Sequence, residues 1–251
     1  MKIVLTPDWF VGTDVLVCFF SLIVLLIISV LAVRSYKLNK KNKNLLYLGI
    51  GFGLIALAEL ACGFTKLILY YDIGPAKAIG QAIITSHLVS SIDIFYYLGF
   101  FFHKFLILAG LYIIYRLPQK KLYIGDYALV LYFILLSTIL SAYGGFFYLF
   151  HLTAFVLLLL IINNYCKIYK KNKFANTKIL ITVFSVLALA QLIYVFSTID
   201  ILFAVASVVE LVSYVILLFL IVKILKHGEK KKSYEHNIRH VGNSPGKKRG
   251  H

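Results

Sequence analysis

Ionisable groups are few in the apolar stretches of this chain, so the handful that lie there carry most of the chemical information. His103 and Lys104 sit near the centre of Ile92–Tyr115, Glu59 lies deep in Leu45–Tyr70, Gln191 in Lys178–Ser197 and Glu210 in Ile199–Leu225. A charged side chain at the centre of a bilayer costs at least ~2.5–3.5 kcal/mol, so Lys104 is expected to face protein or water rather than lipid. Opposite charges in a low dielectric favour each other's ionised forms, which makes Glu59 or Glu210 the expected partner of Lys104. At 1.5 Å per helical residue, Glu59 lies ~21 Å along its span from Leu45, Lys104 ~16 Å from Asp93, Glu210 ~15 Å from Asp200 and Gln191 ~18 Å from Lys178. These depths place all four, with His103, in one polar layer at or somewhat outside the middle of a ~30 Å core. Intramembrane ionisable residues commonly line ion or substrate paths. The layer is therefore read as a substrate- or ion-binding site: Glu59 and Glu210 as proton or cation sites, Lys104 as counter-ion, Gln191 as a hydrogen-bonding orienter. The alternative is a buried ion-pair network that only fixes helix packing. Lys66 shares a helical face with Glu59 and is expected to snorkel outward.

The elements that must position this layer are transmembrane helices. At 61% hydrophobic residues over 251, with a mean hydropathy of +0.89, the chain is too apolar for a soluble globular domain. Seven stretches approach the ~20 apolar residues of a span: 14–36, 45–70, 92–115, 127–143, 145–165, 178–197 and 199–225. The expected fold is an all-α, seven-helix multi-pass membrane domain over residues 1–226, in the cell membrane. A basic, disordered tail is expected over 227–251. MKIVLTPDWFVGTD lacks the basic start and cleavage site of a signal peptide, so the first span is expected to be retained.

The formal charge of +16 would also suit a nucleic-acid binder, but most of the basic residues stand in short clusters between the spans. Loops one, three and five hold Arg34–Lys43, Arg116–Lys121 and Lys167–Lys173; of the other loops only the second has a lysine, Lys77. Under the positive-inside rule this gives an outside N-terminus and a cytoplasmic C-terminus, with Trp9, Tyr70, Tyr71 and Tyr143 near the outer interface. The partners implied are the bilayer, anionic headgroups touching the basic loops and tail, and, as a further candidate, a cytoplasmic protein. The external connection 72–91 could form a lid or serve only as a connector.

An internal repeat emerges from three matches that keep one order. Tyr36-Lys37 recurs as Tyr169-Lys170, IALAEL through Glu59 as LALAQL through Gln191, and Ile92-Asp93-Ile94 as Ile199-Asp200-Ile201, which sets His103 opposite Glu210. Spans one to three thus parallel spans five to seven, with span four as connector. This 3+1+3 order resembles the SWEET and PQ-loop transporters in topology. The dipeptide Pro118-Gln119 falls after span three, however, and all four prolines lie outside the spans, unlike the kinked helices of that family. Seven spans with an outside N-terminus also resemble microbial rhodopsins, but the middle of the seventh span, FAVASVVELVSYV, offers Glu210 and no lysine for retinal. His103 and His151 are too sparse for the zinc site of a ceramidase-like hydrolase.

No GxSxG, HExxH, P-loop or Rossmann motif occurs, so neither an enzyme nor a cofactor is expected. Cys18, Cys62 and Cys166 read as small core residues. His236 and His240 share a face of the tail without further ligands. Two function classes follow: a transporter of a small solute or ion with its site near the midplane, or a seven-helix sensor or scaffold whose tail contacts a partner.

Overall fold

The structure is a computed structural model and describes residues 6–38, 40, 43–71, 91–117, 124–142, 146–173 and 175–242. Among the described residues, a 3-10 turn at Asp8–Phe10 is followed by seven helices: α1 (Thr13–Leu38), α2 (Lys43–Tyr71), α3 (Ser91–Arg116), α4 (Ile124–Ala142), α5 (Phe147–Asn172), α6 (Ala175–Val195) and α7 (Asp200–Gly242). Each forms where an apolar run lies between loop or charge signals, as read from the sequence. Gly12, at φ 86°, makes the left-handed turn into α1 that other residues resist.

Six of the helices are long and apolar enough to cross a membrane, whereas the apolar part of α4, Gly125–Ser141, is shorter. Such a stretch is at the lower end of what spans a bilayer. Large apolar side chains such as Phe20, Val30 and Phe219 point outward and are more than half exposed, a surface suited to acyl chains and not to water. This is a multi-pass helical membrane protein.

The helices close a ring. In unit one, α2 packs between α1 and α3; in unit two, α6 packs between α5 and α7. The units meet through α1 against α7 and α3 against α5, and α4 leans on α3 from outside the ring. The neighbour pattern thus groups α1–α3 and α5–α7, with α4 beside α3.

Unit one is drawn together by small residues. A Cβ added to Gly110 would meet both the Gly51 carbonyl oxygen and Ile55 at 2.6 Å, so α2 and α3 cross at a distance only glycine permits. On the other side of α2, Ser29 donates to the Gly49 carbonyl at 2.7 Å. Arg116, expected as a topology signal, also bonds Asp126 at 3.2 Å, tying the end of α3 to the start of α4.

One expectation changes. The last helix runs on to Gly242, so 227–242 is helical where disorder is expected from composition. The segment KILKHGEKKKSYEHNIRHVG is rich in lysine and glutamate, which propagate a helix, and contains no proline. Residues 243–251, and the external connection 72–90, lie outside the described residues.

Candidate functional site

A cavity of about 150 Å³ lies where the two units meet, and Glu59, His103, Lys104, Gln191 and Glu210 all line it. Its lining can be compared with the sequence repeat helix by helix. The register of Tyr36 on Tyr169 sets Asp14, Val17 and Cys18 of α1 against Phe147, Phe150 and His151 of α5, and all six face the cavity. That of Glu59 on Gln191 sets Cys62 against Tyr194, again both lining. That of Asp93 on Asp200 sets Tyr96, Phe100 and His103 against Phe203, Ser207 and Glu210, which also line it. One residue turns a helix by roughly 100°, so a register wrong by one or two would have matched cavity positions with lipid-facing ones. The agreement on three helices shows that equivalent faces of the two units enclose the space.

At the end of the cavity where α1 begins, Asp14 is the hub. Its carboxylate pairs with Lys66 at 2.9 Å and accepts from Tyr70 at 2.7 Å and Thr6 at 3.0 Å. The backbone N–H groups of Gly12 and Val15 donate to its other oxygen. Lys66 is therefore buried, 7% exposed, where snorkelling was expected. A buried lysine is tolerated because a carboxylate bearing four further donors neutralises it. Asp14 stands in the first turn of α1, where the helix dipole favours an acid, and so reads as a boundary residue in sequence. The clue that passes unused is the spacing of Lys66 and Tyr70, which puts two hydrogen-bonding groups on one face of α2.

One turn further in, the Cys18 and Cys62 thiols meet at 3.6 Å, and Lys66 Nζ lies 3.9 Å from Cys18 Sγ. Both cysteines are buried, as expected of core residues, and both also line the cavity.

The expected pairing of Lys104 with a glutamate does not occur. Lys104 Nζ donates to the Leu140 carbonyl at 2.9 Å and lies 5.8 Å from the Phe100 ring centroid. Leu140 is in the last turn of α4, whose final carbonyls have no partner within the helix. A lysine supplied from α3 satisfies one of them and complements the negative end of the dipole. His103 Nδ1 lies 3.1 Å from the Ala58 carbonyl oxygen, which can only accept, so Nδ1 carries the proton in that bond.

Glu210 is held by neutral donors. Gln191 Nε2 donates to its Oε1 at 3.2 Å and Tyr214 at 2.9 Å. With its amide nitrogen turned to the carboxyl, Gln191 presents Oε1 to His151 Nδ1 at 2.9 Å, so that nitrogen donates. Tyr194 stacks on His151 at 4.5 Å between centroids and donates to Ser207 at 2.9 Å. Glu59 is different: it is 7% exposed, and among the described residues no hydrogen bond to its carboxyl meets ordinary geometry. Its neighbours are the Cys18 thiol, a weak donor to it, and the charged groups of Glu210 and Lys66.

The fold and this layer define the chain as a polytopic helical membrane protein with a polar cavity between helices α1–α3 and α5–α7. Compared with known protein families, characterised protein sequences and solved structures, the chain matches none.

Proposed function

We propose that this protein moves a small solute or ion across its membrane, binding it in the cavity between the two units. The observation that carries the reading is that the positions matched by the sequence repeat line one shared space. Repeat interfaces near the midplane are where many transporters bind, because two related units can rock about such a site. The cavity is well below the ~300–1,000 Å³ that holds a drug-sized ligand, which favours a solute of few atoms. In this reading the solute is carried without chemical change, and the basic loops touch anionic headgroups on the cytoplasmic side.

Alternating access tests it. Cys62 kept as the sole cysteine, and Ser207→Cys in a chain otherwise free of cysteine, place a thiol on each unit's side of the cavity. Membrane-impermeant thiol reagents added to sealed vesicles of either orientation should reach both positions from both faces. Labelling from one face alone, or from neither, contradicts transport and favours a sensor or scaffold.

A further inference from the structure

We propose that the ligand of this cavity is a small organic ammonium ion, held between the Glu59 and Glu210 carboxyls and the aromatic rings around them. The inference rests on the cavity being the solute site and names the class of solute.

The charges point this way first. Asp14, Glu59 and Glu210 line the cavity against only two lysines, and both lysines are committed. Lys66 is on Asp14 and Lys104 is on the Leu140 carbonyl. The two remaining carboxyls are close enough to act on each other electrostatically. Glu210 at least has two donors, whereas Glu59 is buried, has only the weak thiol donor of Cys18 beside it and opens onto the cavity. A carboxyl so placed either holds a proton or gives it up to pair with a cation that enters the cavity.

The walls then choose among cations. Tyr96, Phe100, Phe147, Phe150, Tyr194 and Phe203 line the space, and ring faces attract ammonium groups within about 6 Å. Two of these rings already do so, Phe203 with Lys66 at 5.7 Å and Phe100 with Lys104 at 5.8 Å. A hard metal ion would instead need a shell of about six or more oxygens. Among the described residues no group of three or more His, Cys, Asp or Glu converges to hold one. Carboxyls, rings and small volume together fit an alkylammonium of a few heavy atoms.

The test is binding to the purified full chain in detergent or nanodiscs, followed by thermal shift and titration calorimetry. The probes are ethylammonium and tetramethylammonium chloride, with sodium, potassium and the bulky N-methylglucammonium at equal ionic strength. Ethylammonium or tetramethylammonium should raise the melting temperature saturably and the other three should not. Glu59→Gln should weaken that binding by about 10-fold or more, Glu210→Gln should also weaken it, and Glu59→Asp, which keeps the charge, should bind within a few-fold of the natural chain. Absence of stabilisation by either ammonium, equal stabilisation by sodium or potassium, or undiminished binding in the folded Glu59→Gln chain would overturn the proposal. Ammonium binding with one-sided labelling would sink transport and leave this inference standing; two-sided labelling without ammonium binding would do the reverse.

Discussion

The two halves of the cavity share a frame and differ in chemistry. Unit one presents Asp14, Cys18, Glu59 and Cys62 where unit two presents Phe147, His151, Gln191 and Tyr194. Only at His103 and Glu210 does unit two carry the acid. Each glutamate therefore faces a neutral counterpart, and the cavity is lopsided: an ion pair braces the side of α1 and α2, while rings and amides brace the other. The packing differs in parallel. The close glycine crossing of α2 and α3 has Val183 and Leu217 at the corresponding places in α6 and α7, both buried. The difference suggests that the frame tolerates exchange of side chains so long as each unit solves its own burial problem.

The largest effect should come from the ion pair. Lys66→Met leaves Asp14 buried without its cation, and removing one partner of a buried pair typically costs about 3–5 kcal/mol. Thermal unfolding should show that loss in the single variant and much of it recovered in Asp14→Asn with Lys66→Met. A double variant no better than the single one would mean that α1 and α2 are not braced by this pair.

Installing unit two's residue in unit one comes next. Gly110→Leu drives a side chain into the Gly51 backbone and should cost at least the ~1–3 kcal/mol of an overpacked core, whereas Leu217→Ile in unit two should cost under about 1.5 kcal/mol. Similar losses at both positions would erase the packing contrast.

The glutamates give a sharper test of comparable size. Glu210→Leu strands the Gln191 and Tyr214 donors and should cost ~1–3 kcal/mol. Glu59→Leu strands only the weak Cys18 thiol, which keeps its contact with Cys62, so the chain should be as stable as before or more so. Equal destabilisation by the two would show that Glu59 has a structural partner after all.

The smallest effect is expected at Lys104, whose role is to cap α4. Lys104→Met should cost about 1 kcal/mol, a typical net hydrogen bond, with proteolytic nicking concentrated in the segment that follows α4. A loss as large as that of Lys66→Met would restore the idea that Lys104 neutralises a glutamate.

Much of this site is legible in the sequence because apolar runs make every polar residue conspicuous. Span positions and the repeat register suffice to put Glu59, His103, Lys104, Gln191 and Glu210 on one space. Partners are another matter. That Lys104 meets a carbonyl depends on where α4 stops and how it leans, which no periodicity encodes. That Lys66 turns inward depends on Asp14 and on Tyr70 and Thr6 arriving with it, a convergence of three segments. The thiol contact of Cys18 with Cys62 likewise depends on the closeness of α1 and α2, set by glycines whose partners are on another helix.

Charge movement in reconstituted vesicles tests the central claim most directly. With the purified chain in liposomes, a step of ethylammonium, tetramethylammonium, sodium, potassium or protons across the membrane should evoke a saturable current for at least one of them, and Glu59→Gln should abolish it. Currents equal to those of protein-free vesicles for all five cations, or a current that Glu59→Gln leaves intact, would contradict a cation path through this cavity.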